Sequence, residues 1–123
     1  MLNYSKPTPS KEFLNELYEY DPSDKTFPLK FRESKGRRVK GMRPGRVQTQ
    51  IHRSNYQGTQ ITIGSNNFFT MSKIVWKYHY GVEPQGVIDH INNDPTDNRI
   101  ENLQDITQKQ NLNKKPGEII NAA

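Results

Sequence analysis

Apolar side chains recur at helical spacing in two segments of the chain, and this spacing predicts two helices. The first spans residues 11–20 with Ser10 as its N-cap, and the second spans residues 71–80 with Thr70 as its N-cap and Gly81 as its terminator. The side chains expected to face the core are Phe13, Leu14, Leu17 and Tyr18 in the first helix and Met71, Ile74, Val75 and Tyr78 in the second.

Two shorter segments alternate between apolar or β-branched residues and polar residues, which is the pattern of strands with one buried face. They span residues 47–53 and 59–63, and a further short strand is expected at Leu29–Phe31. These segments predict a small antiparallel sheet of two or three strands, with Gln60 and Thr62 on its outward face. Such a polar face is consistent with a surface that tracks DNA, and equally with an ordinary solvated face.

The C-terminal stretch predicts the order strand, loop, strand, helix. The strands are Val87–Ile91 and Leu103–Ile106, and the polar loop between them, residues 92–101, is too long for a tight hairpin. Thr107 and Gln110 have the spacing of a capping box, which predicts a helix that begins there and ends before Pro116-Gly117. Residues 116–123 are then expected to form a tail.

Composition limits the size of the core. The chain has 123 residues, 31% of them hydrophobic, and a mean hydropathy of −1.00, so one small domain is the simplest expectation. Twelve aromatic residues (five Phe, six Tyr and one Trp) make a core feasible. The absence of cysteine excludes disulfides and thiolate metal sites. No apolar run has membrane-spanning length and no signal-peptide pattern is present, so we expect a soluble, intracellular protein.

The positive charge is concentrated in one segment. The net charge is +5, and nine of the 18 Lys and Arg residues lie between Lys30 and Arg53, where Glu33 is the only anion. Such a local excess indicates a polyanionic partner, although a solvated basic loop would have the same composition. The residues expected to contact DNA are Arg37, Arg38, Lys40, Arg43, Arg46 and Arg53 in this segment, with Lys73, Arg99, Lys109 and Lys114 elsewhere.

A set of polar residues in the C-terminal stretch resembles the motif of the HNH endonucleases, in the variant found in the small phage and intron-encoded branch. The motif residues are Asp89-His90, Asn98-Arg99, Asn102-Leu103 and Asn111. A weaker similarity extends the resemblance to roughly Phe13–Lys115. One departure lies in the second helix, where the family commonly has His-Arg and this chain has Ser72-Lys73.

The resemblance implies an α+β protein in which residues 1–81 bind DNA, residues 82–115 form a ββα-metal nuclease motif and residues 116–123 form a tail. His90 and Asn102 are the implied catalytic residues, and Asp89 and Asn111 are the implied ligands of one Mg²⁺ or Mn²⁺ ion. In the family, the residue at the position of Asn102 ties the loop to the histidine strand and fixes the orientation of the imidazole.

These residue types suit phosphodiester hydrolysis. Histidine exchanges protons near neutral pH and can therefore activate water. Carboxylate and amide oxygens are hard ligands that suit Mg²⁺ or Mn²⁺, and such an ion polarises the scissile phosphate. Neighbouring residues on a regular strand face opposite ways, so Asp89 and His90 converge only if the strand twists or ends there.

The expected function is metal-dependent cleavage of double-stranded DNA by a phage homing or free-standing endonuclease, acting in the cytoplasm of a bacterial host. Two alternatives remain open: a DNA-binding module without catalytic activity, and an HNH nuclease that serves restriction or defence. No heptad repeat or apolar surplus indicates a stable dimer, so we expect a monomer, or a dimer assembled on DNA, with no membrane partner.

Overall fold

The computed structural model describes residues 7–48, 58–64 and 67–120, with the side chains of residues 46–48 left out. It is an α+β structure of short helices and three small antiparallel sheets. The elements are α1 (Lys11–Leu17), β1 (Tyr18–Tyr20), β2 (Leu29–Phe31), β3 (Gly45–Gln48), β4 (Gly58–Thr62), β5 (Phe68–Thr70), α2 (Met71–Tyr80), β6 (Val87–His90), a 3₁₀ turn (Ile100–Asn102), β7 (Leu103–Ile106) and α3 (Gln108–Asn113). None of the helices among the described residues is long and apolar enough to cross a membrane.

The first helix is shorter than predicted. It ends at Leu17, and the next three residues, Tyr18–Tyr20, form β1 and pair with β2 in the register Tyr18 to Phe31. The Tyr-Glu-Tyr alternation suits a strand, and the ladder with β2 outweighs the helical spacing of the apolar residues. Phe13, expected in the core, is 46% exposed, whereas Leu14 and Tyr18 are fully buried.

The second sheet has the order β3-β4-β5. Residues 49–53 of the predicted 47–53 strand lie outside the described residues. Gln60 was predicted to face outward, but it is only 3% exposed, because β4 is the central strand and is buried along most of its length. The strand β5 was not predicted, since three residues are too few to show a periodicity.

The helix α2 has the predicted bounds, and Met71, Ile74, Val75 and Tyr78 are buried as predicted. Gly81 ends it in the left-handed conformation (φ 75°), where its N–H donates to the carbonyl of Lys77. These side chains pack into one core with residues from both halves of the chain: Leu14, Tyr18, Phe27, Leu29, Ile61, Ile63, Phe69 and Leu103. Because Leu103 belongs to β7, the C-terminal stretch is anchored in the same core as the N-terminal helices.

In the C-terminal stretch β6 ends at His90, one residue earlier than predicted, and pairs antiparallel with β7, which has the predicted bounds. Gly86 comes just before β6 and lies very close to β7. A Cβ added to Gly86 would be 2.1 Å from the carbonyl oxygen of Ile106. The predicted capping box is confirmed, with both of its hydrogen bonds between Thr107 and Gln110. The helix that it starts, α3, has no buried residue and so stands on the surface.

Candidate functional site

Asp89, His90 and Asn111 line one cavity of about 270 Å³. Asp89 and His90 are the last two residues of β6, and Asn111 comes from α3. The strand ends at His90 and the chain turns immediately, with Asn93 at a positive φ of 65°. Asp89 and His90 therefore both reach the cavity although they are neighbours in the sequence, because the strand ends at His90. Ile88, Asn93 and Pro95 complete its wall.

The Asp89 carboxylate is held by neighbours on one side. Its Oδ2 accepts a hydrogen bond from Gln104 Nε2 at 2.8 Å and lies 3.4 Å from Lys114 Nζ. Asp89 is only 6% exposed. Within the part of the chain that the structure describes, Oδ1 has no hydrogen-bond partner. The carboxylate thus has one oxygen engaged by the protein and one available to a ligand.

Lys114 does not lie where the sequence predicted. We expected it to contact DNA, but its side chain is 2% exposed, and Nζ donates to the carbonyls of Ile91 and Lys115, both at 3.1 Å. The cause is the path of the chain after α3, which turns back toward β7. Gly117 donates its N–H to Ile91, and the segment expected to be a tail hydrogen bonds to the Gln104 amide through Glu118 and Ile120.

The imidazole of His90 contacts a buried amide that we had not assigned a role. Its Nε2 lies 2.9 Å from Oδ1 of Asn98, which is 1% exposed. Asn98 in turn donates its Nδ2–H to the carbonyl of Thr26 at 3.0 Å and its backbone N–H to the carbonyl of Lys25 at 2.7 Å. The only sequence signal was the place of Asn98 in the motif, because nothing in the polar loop indicates which asparagine is buried.

Asn102 closes the loop between the strands and does not contact the imidazole. Its Nδ2 donates to Asn92 Oδ1 at 3.0 Å and to the carbonyl of Asp97 at 2.9 Å, and its Oδ1 accepts from the N–H of Asn92 at 3.1 Å. Its own carbonyl accepts from the N–H of Ile91, next to His90, at 2.8 Å. It thus ties the loop to the histidine strand, whereas the expected contact with the imidazole is made by Asn98 instead.

Residues 71–113, which contain this cavity, match the model of the HNH endonuclease family. This segment belongs to the HNH endonuclease family. The match covers α2 through α3, about a third of the chain, and confirms the family that the motif suggested. A search of curated proteins and a search of solved structures each gave no significant match.

The HNH segment has donors that fit a divalent ion of the magnesium type. Asp89 offers the free Oδ1, and no side-chain hydrogen bond engages Asn111 among the described residues, so two hard oxygens line the same cavity. No group of three or more His, Cys, Asp or Glu side chains gathers anywhere in the described ranges. Water and substrate phosphate would have to supply the remaining ligands, as is common for Mg²⁺.

A larger cavity of about 580 Å³ borders the HNH site, and His90 and Ile88 line both. Ser72 and Lys73, from the start of α2, lie in its wall. Lys73 is partly exposed and only weakly paired, with Glu83 at 3.9 Å. A concave surface therefore extends from the HNH site to the start of α2, and it contains a lysine able to contact phosphate.

Arg99 is engaged within the HNH loop itself. Its guanidinium binds Asp97 with two hydrogen bonds, Nε to Oδ1 at 2.8 Å and Nη2 to Oδ2 at 2.7 Å. This contact lowers the pKa of Asp97, which is 1% exposed, and raises the pKa of Arg99. The paired donors of the guanidinium, which would have suited a DNA phosphate, are thus used to brace the loop.

The remaining cations predicted to contact DNA differ in their surroundings. Arg37, Lys40 and Lys109 are exposed. Arg38 stacks over the ring of Phe31 at 5.6 Å, and Arg43 binds Asp24 through Nε at 2.9 Å and Nη2 at 3.1 Å. The side chain of Arg46 and all of Arg53 lie outside what the structure describes.

Proposed function

We propose that this protein is a metal-dependent DNA endonuclease that hydrolyses phosphodiester bonds at the cavity formed by Asp89, His90 and Asn111. The observation that carries the proposal is the convergence of these three side chains on one cavity inside the segment that matches the HNH family. A water-activating group and two oxygen ligands meet there, which is the minimum set for phosphoryl chemistry assisted by one metal ion.

In this proposal each residue has a separate task. His90 takes a proton from the attacking water. Asp89 and Asn111 would hold a Mg²⁺ or Mn²⁺ ion, and such an ion would supply polarisation of the scissile phosphate and stabilisation of the departing oxygen. Gln104 and Lys114 fix the Asp89 carboxylate, and Asn102 keeps the loop closed on the histidine strand.

The duplex is proposed to lie along the concave surface between β6 and α2. Lys73 would meet a phosphate there as a point charge, and the exposed cations Arg37, Lys40 and Lys109 would contact phosphates further along. We withdraw Lys114 from this set because its ammonium is buried. Arg99 is retained only as a loop residue.

The metal dependence is tested by a matched pair of asparagines on α3. Plasmid is incubated with Mg²⁺, Mn²⁺ or EDTA, and the rate is titrated against metal for Asn111→Ala and for the control Asn113→Ala. Asn113 is exposed, and its amide donates to the Lys109 carbonyl in the same helix. We expect no cleavage in EDTA, and for Asn111→Ala a shift of the half-maximal metal concentration of about tenfold or more. Identical titrations for both variants would remove Asn111 from the metal site.

The finer proposal is a phage homing or free-standing endonuclease, acting in the cytoplasm of a bacterial host as a monomer that nicks. The variant of the motif supports the phage-type endonuclease, and the single Asp-His-Asn set in each chain supports the monomer that nicks. A concerted double-strand break needs two sites related by two-fold symmetry. A plasmid time course, with the mass of the protein in solution measured in parallel, therefore distinguishes a monomer that nicks from a dimer that cuts both strands. Linear product without a nicked intermediate, together with a dimeric mass, would contradict the monomer.

A further inference from the structure

The orientation of the Asn98 amide is fixed by its neighbours on both sides. One end of the side chain faces the carbonyl oxygen of Thr26 at 3.0 Å, and the other faces Nε2 of His90 at 2.9 Å. A carbonyl oxygen only accepts hydrogen bonds, so the end facing Thr26 must be the NH₂ group. The amide oxygen is therefore the atom that faces His90.

This arrangement decides which nitrogen of His90 carries the proton. Because an amide oxygen only accepts, Nε2 must donate to it, and in the neutral imidazole Nδ1 then has the free lone pair. We propose that Asn98 is a positioning residue that holds His90 in the Nε2–H tautomer, so that Nδ1 is the atom that takes the proton from water. The catalytic half of this inference rests on the proposed function, whereas the tautomer does not.

The support for Asn98 comes from outside the segment that matches the HNH family. The carbonyls of Lys25 and Thr26 accept its backbone and side-chain N–H groups, and both residues precede residue 71. Their turn is fixed in place, since Asp24 Oδ1 accepts the N–H of Phe27 at 3.1 Å and Phe27 is 1% exposed. A turn of the N-terminal portion thus holds the residue that we propose orients the His90 imidazole.

The tautomer is measured directly on the full-length, metal-free protein. Nitrogen-15 NMR of the His90 ring at about pH 8.5, well above the ordinary histidine pKa of about 6.5, distinguishes a protonated nitrogen from one with a free lone pair. We expect Nε2 to be protonated and Nδ1 to be free. A spectrum in which Nδ1 carries the proton overturns the proposal, whatever any variant does.

Two substitutions then test the role of the amide. Asn98→Leu removes both hydrogen bonds at similar volume, and we expect loss of the tautomer preference and a fall in kcat of about 100-fold with unchanged DNA affinity. Asn98→Asp keeps an acceptor toward Nε2 but loses the N–H that donates to the Thr26 carbonyl, so it should retain the Nε2–H tautomer with reduced stability of the fold. Thr96→Val is the control, because Thr96 lies in the same loop and hydrogen bonds to Asp94 rather than to Asn98 or His90, and it should change kcat by less than about twofold.

These outcomes separate the two proposals. If the wild-type protein cuts no DNA but shows the Nε2–H tautomer, the proposed function fails and the assignment of Asn98 stands. If the protein cuts DNA and Asn98→Leu, shown to be folded, cuts as fast as Thr96→Val, the positioning role fails and the nuclease stands.

Discussion

Lys114 stabilises the Asp89 carboxylate from the interior of the protein. Its Nζ lies 3.4 Å from Oδ2, and the side chains are 2% and 6% exposed respectively. Water has little access to either group, so neither charge would be solvated if its partner were removed. Removing one partner would therefore leave the other charge buried and unpaired, and the contact also orients a proposed metal ligand.

Lys114→Met is expected to destabilise the fold by about 3 kcal/mol, because it leaves a buried carboxylate without its cation. Lys109→Met is the matched control, since Lys109 is an exposed lysine on α3 and its removal should cost less than about 0.5 kcal/mol. Urea unfolding of the two variants measures the difference. Equal stabilities would show that the Asp89 carboxylate does not depend on Lys114.

The sequence predicted the candidate site residues but not the residues that support them. Asp89, His90 and Asn111 were predicted because their spacing follows a known motif, and the structure places all three in the wall of one cavity. The supporting roles of Asn98 and Lys114 were not predicted, because the burial of these two residues depends on distant parts of the chain. Asn98 is covered by the turn at Lys25-Thr26, and Lys114 by the return of the chain toward β7.

The loop between β6 and β7 is stabilised by ionised carboxylates. Asp97 accepts two hydrogen bonds from Arg99, which lowers the pKa of Asp97, and Asp94 accepts from the hydroxyl and N–H of Thr96, which lowers the pKa of Asp94. A carboxyl group with a lowered pKa in the folded state stabilises the fold above its unfolded pKa of about 3.9 and loses that contribution as the pH falls through its folded pKa.

Acid should therefore destabilise this loop, and Asp97 should carry much of the effect. We expect the free energy of unfolding to fall below about pH 4 in the wild type. In Asp97→Asn it should be lower at neutral pH and fall less steeply in acid. Urea unfolding at a series of pH values checks this. If both proteins show the same pH dependence, the contact between Arg99 and Asp97 contributes nothing to the acid transition.

Elements with local signals were predicted well, and elements decided by pairing were not. The bounds of α2 followed from its cap position, its apolar spacing and Gly81, and the start of α3 followed from its capping box. The switch from α1 to β1 at Tyr18 depends on the ladder with Phe31, which lies far along the chain. The burial of Gln60 depends in the same way on its central place in the second sheet.

Residues 31–42 of the basic segment form a loop that is closed at its base by backbone hydrogen bonds. Gly41 donates its N–H to the Phe31 carbonyl at 2.8 Å, and Phe31 donates to the Met42 carbonyl at 3.2 Å. Arg37 and Lys40 lie on this loop and are exposed. Arg43, just past its base, is paired with Asp24 and lies over the Phe27 ring at 4.5 Å. The loop can thus present free cations to DNA while Arg43 braces its base.

Replacing both Arg37 and Lys40 with Gln should weaken DNA binding for all sequences alike. Each lost phosphate contact should reduce the slope of log K against log salt by about 0.9. Arg43→Gln should leave the slope unchanged, because this arginine is already paired. Binding measured by fluorescence anisotropy at several salt concentrations tests both variants. A double variant with the wild-type slope would mean that these cations remain solvated in the complex.

The most direct test of the account is plasmid cleavage by His90→Ala under single-turnover conditions with Mg²⁺, with His79→Gln as the histidine control outside the cavity. We expect His90→Ala to cleave at least about 100-fold more slowly while its affinity for DNA stays unchanged, because in the proposed mechanism His90 acts on water and does not hold the duplex. His79→Gln should cleave at the wild-type rate. Cleavage by His90→Ala at a rate similar to that of His79→Gln would contradict the assignment of this cavity as the nuclease site.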